Sequence, residues 1–565
     1  MELTRRGFAG GAVGLVLAAP FAARLGAAGP LSVLLSAPLN PGAYDPAIAA
    51  IAAYAELHRA YFNLPGLTLG LTVPGGPQIS RHFGFAEAGT KTPISDSTLF
   101  QVGSISKLMA AALIHQYAES GKIRLADRIS DLLPEIALPA KNAITVQQLL
   151  DHVTGLPADA PLFPPGGLWL GFAPGSQWSY SNTGYDILGK LLEHLGGKSL
   201  GKLLDERLFA PLGMTQTFGS ITSDKRTRFA QGYEAADNVA PFVRGTPLAP
   251  AAWVDVTFAA GSVASTARDM NLLLRSMADA AAGRGGMGLG PAAGLEFTRH
   301  MVATGTPAMH YGNGLMHVGS GTHTYLHHTG GMVSFSSAFH VDTASGVGAF
   351  ASSTISAFAA YRPRLLTLFA VDALTAVRNG RPLPKAPPLA TPLTNGADYT
   401  GFYSGPSGAF EVRLVPGGIA IVADGQTVAL DPWGDGVFRT LHPRFRQFSL
   451  LFESPDDKAI VGASWGASSF IRSGSKWQPP AADPKLAQLA GRYVDDSPWF
   501  GTAIIVERGG RLWFGTETPL TAIGDNLFRV GEDAWSPERA SFANPIDGRP
   551  QTLLFSGEKF VRHDL

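Results

Sequence analysis

The strongest constraint on the fold is an internal repeat in the last third of the chain. Residues between Gly401 and Arg472 recur in the same order 90 residues later, between Gly491 and Arg562, without gaps. Such a repeat indicates two copies of one structural unit, built here from short β-type runs. We predict that each unit closes into a small antiparallel barrel, which would leave no exposed strand edge, with a sandwich as the alternative. The identical pairs include Gly401/Gly491, Tyr403/Tyr493, Leu430/Leu520, Gly434/Gly524, Asp435/Asp525, Phe438/Phe528, Arg439/Arg529, Phe470/Phe560 and Arg472/Arg562.

A proline-rich segment between Arg378 and Thr394 separates these repeats from the rest of the chain. Its composition predicts an extended linker. The 565 residues suffice for roughly three or four domains. The predicted segments are an export signal over 1–28, a domain over 29–377, a linker over 378–398, the first repeat over 399–474, a second linker over 475–488 and the second repeat over 489–565.

The first 28 residues have the features of an export signal. Arg5 and Arg6 form a twin-arginine pair, a mild apolar stretch runs from Phe8 to Ala19, and small residues follow at 26–28. The apolar stretch is shorter than the roughly 20 residues that a membrane-spanning helix needs. The pattern predicts export by the twin-arginine translocase to the periplasm or beyond, with an uncleaved N-terminal anchor as the alternative.

Composition excludes several classes of function. Only 16% of the residues are charged and the formal net charge is zero, so the basic footprint of a nucleic-acid-binding protein is missing. The absence of cysteine excludes disulfides and thiolate metal sites. Because no metal-ligand spacing such as H-E-x-x-H occurs, we predict neither a metal nor another cofactor.

Hydrophobic periodicity predicts an α+β domain between the signal and the linker. Alternating apolar residues predict half-buried strands near residues 67–73, 78–86, 324–328 and 334–341. Helical patterns occur near residues 45–61, 107–120, 145–152, 182–195 and 267–280. Because strands lie at both ends and helices between them, we expect one sheet that pairs the beginning of this domain with its end.

A serine one helical turn before a lysine is the most informative motif of this domain. Ser104 and Lys107 follow a glycine and precede an apolar helix. Because residues three apart on a helix share a face, the Lys107 amine can reach the Ser104 hydroxyl and activate it. The S-x-x-K pattern alone is weak, since it also occurs at Ser199/Lys202, Ser473/Lys476 and Ser556/Lys559.

Two more motifs follow Ser104 in order, Tyr180-Ser181-Asn182 and His328-Thr329-Gly330. With these motifs the chain resembles the serine β-lactamase and penicillin-binding-protein superfamily, most closely its class C β-lactamase-like branch, over about residues 54–374. Two further stretches are similar to the family, LLDHVTGLP at residues 149–157 and FAPLGM at residues 209–214. Y-x-N patterns also begin at Tyr61 and Tyr311, but the first precedes Ser104 and the second is too near the third motif.

The resemblance implies a catalytic role for Ser104, Lys107 and Tyr180 and a supporting role for Asn182. Ser104 would be the nucleophile of an acyl-enzyme mechanism, and Lys107 and Tyr180 would share the general-base and general-acid work. Asn182 would either bind the substrate or orient Lys107. A base must be partly unprotonated near neutral pH, so we expect burial near a second cation to lower the pKa of Lys107.

The resemblance also implies the residues that border the substrate. His328, Thr329 and Gly330 would bind it, and the backbone N–H groups of Ser104 and Gly331 would form an oxyanion hole. His327 should point to the opposite face of its strand, because side chains alternate along a strand.

The fold implied by the resemblance is a β-lactamase/DD-peptidase-like domain, with an antiparallel sheet and a helical region. Two lipocalin-like antiparallel β-barrels would follow it, an order of domains similar to that of D-aminopeptidase. The repeated Asp435/Arg439 and Asp525/Arg529 pairs are interpreted as salt bridges inside each barrel rather than as a binding surface for polymer.

The residue at position 328 separates the branches of the family. β-Lactamases and many carboxypeptidases have a lysine there, whereas His-x-Gly is typical of D-aminopeptidases and esterase-like members. A histidine is mostly neutral at pH 7 and offers a weaker anion site. The favoured function is therefore a D-aminopeptidase or esterase on small D-amino-acid amides, peptides or esters. The alternatives are a class C-type β-lactamase or DD-carboxypeptidase, and a slow-turnover penicillin-binding sensor or binding protein.

The loop from Ala158 to Ala173 is shorter than in many family members. The short loop predicts a more open pocket in which Phe163 or Trp169 forms an apolar wall. The alternative is that both aromatic side chains only pack within the loop itself. The expected partners are a small-molecule or peptide substrate and the twin-arginine translocase, with no nucleic acid and no stable membrane span. A homodimer remains open.

Overall fold

The computed structural model describes residues 41–563 except 140–143, 165, 238, 321–322, 357–360, 391 and 456–458. The predicted export signal over residues 1–28 lies outside the described residues. Within that described part of the chain, no helix combines the length and the apolar character that a membrane crossing requires.

A nine-stranded antiparallel sheet forms the centre of the N-terminal domain. Its strands are β1 Gly66–Thr72, β2 Gln78–Glu87, β3 Thr92–Pro93, β8 Val302–Ala303, β9 Met309–Gly312, β10 Leu315–Ser320, β11 His323–Gly331, β12 Ser336–Asp342 and β13 Gly348–Ser353. Their order in the sheet is β3-β2-β1-β13-β12-β11-β10-β9-β8. The strand that comes first in the sequence, β1, pairs with the last, β13, with Leu67 opposite Ser353, which confirms the predicted joining of the domain's beginning and end. Two short pairs lie apart, β4 Phe100–Gln101 with β7 Ala264–Ser265 and β5 Tyr233–Ala235 with β6 Leu248–Pro250.

Helices cover both faces of this sheet. The first and last helices of the domain pack on one face, and the helical region between them in the sequence packs on the other. The helices are α1 Asp45–Tyr61, α2 Ser106–Glu119, α3 Ile129–Leu132, α4 Val146–Leu150, α5 Asn182–Gly196, α6 Leu200–Leu204, α7 Ala210–Leu212, α8 Ala267–Ala281, α9 Pro291–Arg299 and α10 Arg364–Arg378. The predicted helices and strands of this domain are therefore present, with shifted ends.

The first strand differs from its prediction, because all seven of its residues are buried rather than alternate ones. Leu67, Leu69 and Leu71 pack against α1 and α10, as the alternation predicts. The small residues between them lie under α8, and a Cβ on Gly70 would come within 2.7 Å of the Ala267 carbonyl oxygen. The alternation identified one buried face, whereas the other face is buried because small residues let a helix approach closely.

The repeats form two closed antiparallel barrels of eight strands each, which confirms the barrel prediction over the sandwich. Tyr403 pairs with Arg472 where the first barrel closes, and Tyr493 pairs with Arg562 at the same place in the second. The first barrel contains β14 Gly401–Gly405, β15 Gly408–Val415, β16 Gly418–Ala423, β17 Gln426–Gly434, β18 Val437–Arg439, β19 Leu450–Glu453, β20 Gly462–Trp465 and β21 Ser468–Arg472. After α11 Pro484–Ala487, the second contains β22 Gly491–Val494, β23 Thr502–Arg508, β24 Arg511–Phe514, β25 Thr518–Gly524, β26 Leu527–Val530, β27 Arg539–Ile546, β28 Arg549–Phe555 and β29 Glu558–His563.

The predicted salt bridges inside the barrels are wrong. Arg439 lies 3.6 Å from Glu517 of the other barrel, and its guanidinium stacks on the Trp433 ring at 3.4 Å from the ring centroid. Among the described residues, neither Asp435 nor Asp525 makes an ion pair. Arg439 therefore contributes to the contact between the two barrels. Its buried guanidinium needs a charged partner, and Glu517 of the second barrel provides one.

Candidate active site

Ser104 and Lys107 lie at the start of the central helix of the domain. Ser104 belongs to a 3-10 turn over Gly103–Ile105 that leads directly into α2. The first twelve residues of α2 are all buried, so the helix is held from every side. Nζ of Lys107 lies 3.2 Å from Oγ of Ser104, as the three-residue spacing predicts.

Lys107 is completely buried and has three hydrogen-bond partners. Besides Ser104, its Nζ donates to Oδ1 of Asn182 at 2.6 Å and to the carbonyl oxygen of Ala260 at 2.8 Å. Burial lowers the pKa of the lysine to about 7, because desolvation disfavours the charged amine. A substantial neutral fraction of Lys107 is therefore present near pH 7.

The expectation that a second cation lies near Lys107 and lowers its pKa is wrong. The charges that act on this amine are the carboxylates of Asp186 and Asp159, which raise its pKa and oppose the effect of burial. Asp186 accepts a hydrogen bond from the N–H of Ala260 at 3.3 Å, and the carbonyl oxygen of the same residue accepts from Lys107. Desolvation alone therefore lowers the lysine pKa, against two acidic neighbours.

Tyr180 precedes α5 and points its hydroxyl into the same buried space. Among the described residues, the Tyr180 hydroxyl makes no hydrogen bond of ordinary geometry. Ser104 nevertheless lies close enough to this hydroxyl to favour its ionised form and so to lower its pKa. Burial outweighs that contribution and raises the tyrosine pKa strongly. Nζ of Lys107 lies 4.9 Å from the centroid of the Tyr180 ring. Tyr180 therefore stays protonated at neutral pH, ready to donate a proton.

Asn182 is the first residue of α5, and both ends of its amide are engaged. Its Oδ1 accepts from Lys107, and its Nδ2 donates to Oδ1 of Asp159 at 2.6 Å. Because a carboxylate only accepts and an ammonium only donates, these two partners fix which way the amide points. Of the two predicted roles for Asn182, the geometry supports the orientation of Lys107.

His328 lies near the end of β11, is completely buried and is electrically neutral. Its Nδ1 lies 2.6 Å from the Thr329 carbonyl oxygen, so this nitrogen carries the hydrogen. Its Nε2 lies 3.2 Å from the hydroxyl of Tyr311 and accepts from it. Burial lowers the pKa of His328 to about 3, and Lys107 adds to this effect. His327 points the other way and stacks on His340 with ring centroids 4.0 Å apart, as strand alternation predicts.

The hydrogen bonds of His328 continue to a third buried ring, that of His152. Nε2 of His152 lies 3.1 Å from the Tyr311 hydroxyl, and its Nδ1 accepts from the Ser181 N–H at 3.1 Å. His152 therefore donates to Tyr311, which donates to His328. This chain of neutral groups connects the backbone next to Tyr180 with the third motif.

Two glycines bring β11 against the turn that carries Ser104. A Cβ on Gly330 would lie 1.8 Å from the Val102 carbonyl oxygen, and one on Gly103 would lie 2.8 Å from the Gly331 nitrogen. Gly103 also has φ +56°, a conformation that other residues rarely adopt. The backbone of Gly331 therefore lies against that of Gly103, the residue before Ser104, and the oxyanion hole stays a prediction. Thr329, the residue before Gly330 on β11, is almost fully buried.

The loop from Ala158 to Ala173 is covered by the second barrel, so the prediction of a more open pocket is wrong on this side. Nε1 of Trp169 donates to the Pro537 carbonyl oxygen at 2.6 Å, and the Phe172 ring packs on Trp535. Phe163 is 68% exposed. Trp169 therefore holds the barrel, and Phe163 neither packs the loop nor is buried in a pocket.

Sequence reasoning missed four polar residues of this site: Asp159, Asp186, His152 and Tyr311. His152 stands within the LLDHVTGLP stretch, and Tyr311 begins the Y-x-N pattern that chain order excluded as the catalytic tyrosine. Asp159 accepts a hydrogen bond from Asn182 and Asp186 acts on the charge of Lys107, but no motif marks either residue. Across the parts of the chain that the structure describes, no group of His, Asp and Glu side chains could hold a metal ion.

Comparison with known proteins identifies the family. A family model described as Beta-lactamase matches residues 54–370, more than half of the chain. "Penicillin-binding protein 4" of Amycolatopsis lactamdurans is 30% identical over 191 residues, which cover 31% of this chain and 50% of that protein. "Beta-lactamase" of Pseudomonas fluorescens is 30% identical over 184 residues, covering 31% and 51%. The chain thus spans about half the length of these curated relatives.

Solved structures share the fold. The octameric penicillin-binding protein homologue from Pyrococcus abyssi aligns with a TM-score of 0.52 and 19% identity, covering 75% of this chain and all of that one. D-amino acid amidase from Ochrobactrum anthropi SV3, complexed with L-phenylalanine amide, aligns with a TM-score of 0.50 and 24% identity, covering 60% and all. With the motifs in the family's order, a serine hydrolase fold around them and a family model over more than half of its length, the chain belongs to the β-lactamase family.

Proposed function

We propose that this chain is a serine hydrolase that forms an acyl-enzyme on Ser104 and acts as a D-aminopeptidase or esterase on small D-amino-acid amides, peptides or esters. The observation that carries this proposal is the charge around Lys107. Its acidic neighbours are Asp159 and Asp186, whose pKa values are raised by burial, and His328 is neutral where β-lactamases have a lysine. Such a site attracts a substrate with a free amino group and repels one with a carboxylate.

Acylation uses the Ser104, Lys107 and Tyr180 side chains. Neutral Lys107 takes the proton as Oγ of Ser104 attacks the substrate carbonyl carbon, and the backbone N–H groups of Ser104 and Gly331 stabilise the oxyanion. Tyr180 donates a proton to the leaving amine or alcohol, and the proton on Lys107 replaces it. Hydrolysis of the acyl-enzyme by water then returns Ser104 and the free acid.

Asp159 is the group we assign to the substrate's amino group. One carboxylate oxygen is held by Asn182, and the other makes no hydrogen bond among the described residues. The side chain is partly exposed, unlike Lys107. An ammonium next to the scissile carbonyl would supply the missing partner and a charge-assisted hydrogen bond.

The D preference rests on the shared fold with D-amino acid amidase and on the His-x-Gly motif. The relatives include proteins named β-lactamase and penicillin-binding protein, so β-lactam hydrolysis and DD-carboxypeptidase activity are the competing outcomes. A penicillin-binding sensor would acylate once without turnover.

A substrate panel tests the proposal. We would measure kcat/KM of the full chain and its Ser104→Ala variant on D-alanyl nitroanilide, its N-acetyl derivative, L-alanyl nitroanilide, a short nitrophenyl ester and a chromogenic cephalosporin. We expect Ser104-dependent turnover of the D-anilide and the ester, at least tenfold loss on acetylation, and little opening of the cephalosporin. Efficient cephalosporin opening would favour a β-lactamase, and a burst without turnover would favour a sensor.

We also propose export through the twin-arginine pathway, with function in the periplasm or outside the cell. The support is the arginine pair at Arg5 and Arg6, followed by a mild apolar stretch and small residues. Replacement of both arginines by lysine should leave the protein in the cytoplasm. Unchanged periplasmic recovery of that variant would contradict this route.

A further inference from the structure

Glu538 is a carboxylate of the second barrel that is buried against the catalytic domain. It stands just before β27 and is 5% exposed. One carboxylate oxygen accepts from the backbone N–H of Ala158 at 2.7 Å, and the other accepts from the Ser556 hydroxyl. Burial raises the pKa of Glu538 to about 7, and the negative charge of Asp159 adds to this effect. A buried carboxylate is costly, so its few donors matter.

Ala158, which donates its N–H to Glu538, also contacts the N-terminal end of helix α5. The carbonyl oxygen of Ala158 accepts from the N–H groups of Asn182 at 2.7 Å and Thr183 at 3.2 Å. These are the first N–H groups of α5, which have no partner within the helix. Ala158 therefore joins the second barrel, through its N–H, to the end of α5 that carries Asn182, through its carbonyl.

A second path runs through the next residue. Asp159 holds Nδ2 of Asn182, whose Oδ1 holds Nζ of Lys107, which reaches Oγ of Ser104. Both paths from Glu538 thus converge on Asn182 and the lysine amine. A shift of the Ala158 peptide would move the helix end and the Asp159 carboxylate together.

We propose that Glu538 is a positioning residue of the active site, by which the second barrel fixes Asn182 and, through it, Lys107. The proposal rests on the proposed Ser104 chemistry but does not depend on the substrate class. Loss of the Glu538 carboxylate leaves the Ala158 N–H buried without an acceptor, and the loop must move to find one. Lys107 then loses its fixed partner, and both the rate of serine attack and the pH at which it rises should change.

Three variants isolate this role. Glu538→Ala removes the acceptor, Glu538→Asp keeps the charge but shortens the reach by about 1.5 Å, one methylene length, and Glu538→Gln keeps an acceptor of the same length. Trp169→Phe is the matched control, because it removes one hydrogen bond across the same barrel contact without touching Ala158. Glu532→Gln controls for a carboxylate change on the exposed surface of the second barrel.

The readout is the rate of Ser104 labelling by a fluorescent nitrophenyl phosphonate ester, measured from pH 5.5 to 9 on the full-length protein. This step is the attack of Oγ on phosphorus with loss of nitrophenolate, and it needs no knowledge of the natural substrate. We expect Glu538→Ala and Glu538→Asp to lower the plateau rate at least tenfold and to shift the pH midpoint. Glu538→Gln should restore most of the rate, and both controls should stay within twofold of the parent.

Equal behaviour of Glu538→Ala and Trp169→Phe, with an unchanged pH midpoint in both, would show that Glu538 only docks the barrel and would overturn the proposal. If Glu538→Ala does not fold, Glu538→Asp decides by the same comparison. Labelling of all the variants at the parental rate would overturn this inference alone. A parent chain that is never labelled at Ser104 would overturn the proposed function as well.

Discussion

The hydroxyl of Tyr311 lies 3.2 Å from Nε2 of His328 and donates to it. Nδ1 of the same ring donates to the Thr329 carbonyl oxygen, so both ring nitrogens have partners while the imidazole is neutral. Protonation of Nε2 would place a second N–H against the Tyr311 hydroxyl, which already receives a hydrogen bond from His152 and would lose the acceptor of its own hydrogen. His328 is therefore a fixed neutral wall of the site rather than an anion-binding cation.

The first prediction concerns the charge at position 328. His328→Lys should place an ammonium near the substrate and lower KM for a carboxylate-bearing cephalosporin about tenfold, the equivalent of about 1.4 kcal/mol. It should weaken turnover of the free-amine anilide, because the new charge opposes the substrate ammonium. His328→Gln is the control, since it stays neutral and can still accept from Tyr311. Identical KM values for both variants would mean that position 328 does not influence the substrate.

The second prediction concerns pH. The pKa of Lys107 is lowered to about 7, and the neutral amine that exists above this pH is the active form. The acylation rate should therefore rise about tenfold per pH unit below 7 and level off above it. The pKa of His328, lowered to about 3, and that of His152, lowered well below its usual range, place neither ring in this window. Burial raises the pKa of Asp186 to about 7, so this carboxyl titrates together with Lys107 and the observed midpoint belongs to the pair. Stopped-flow measurement of acylation from pH 5.5 to 9 gives the midpoint.

A variant on α5 assigns that midpoint to the lysine. The Asp186 carboxylate raises the pKa of Lys107, so Asp186→Asn should move the midpoint to lower pH. Glu193→Gln changes a carboxylate on the same helix that pairs with Lys190, and it should leave the midpoint in place. A midpoint that moves up in Asp186→Asn would contradict Lys107 as the titrating base.

Much of the fold and the central pair of the site follow from local patterns. The Ser104–Lys107 contact depends only on helix geometry over three residues, and the barrels follow from an ungapped repeat. Asp159 and Glu538 could not be found in this way, because their contacts with Asn182 and Ala158 join residues 23 and 380 positions apart. The expectation of a second cation failed because burial alone shifts the lysine pKa, and burial depends on tertiary packing.

The third prediction concerns Asp159. Asp159→Asn should lower the preference for D-alanyl nitroanilide over its N-acetyl derivative about tenfold, because the carboxylate that would bind the substrate ammonium is lost. Turnover of the nitrophenyl ester of a simple acid serves as the internal control, since it lacks the amino group. Equal losses on all three substrates would mean that Asp159 only orients Asn182.

The fourth prediction concerns Gly171, where the loop next to the site meets the second barrel. A Cβ at this position would lie 2.4 Å from the Trp535 carbonyl oxygen and 2.6 Å from the Pro537 nitrogen. Backbone atoms cannot rotate away as a side chain can, so Gly171→Ala should push the barrel off the loop. We expect a loss of about 1–3 kcal/mol in unfolding free energy, the usual cost of overpacking.

Hydrogen exchange at the Ala158 amide measures the same displacement directly, because this N–H is held by Glu538 across the barrel contact. Exchange there should accelerate in Gly171→Ala, together with a slower labelling of Ser104. Gly418→Ala is the control, since a Cβ at Gly418 in the first barrel would meet no atom within 4 Å. If Gly171→Ala accelerates exchange at Ala158 while Ser104 reacts at the parental rate, the barrel contact stabilises the protein without setting its chemistry. Coupled changes in both would mean that the second barrel is part of the catalytic unit.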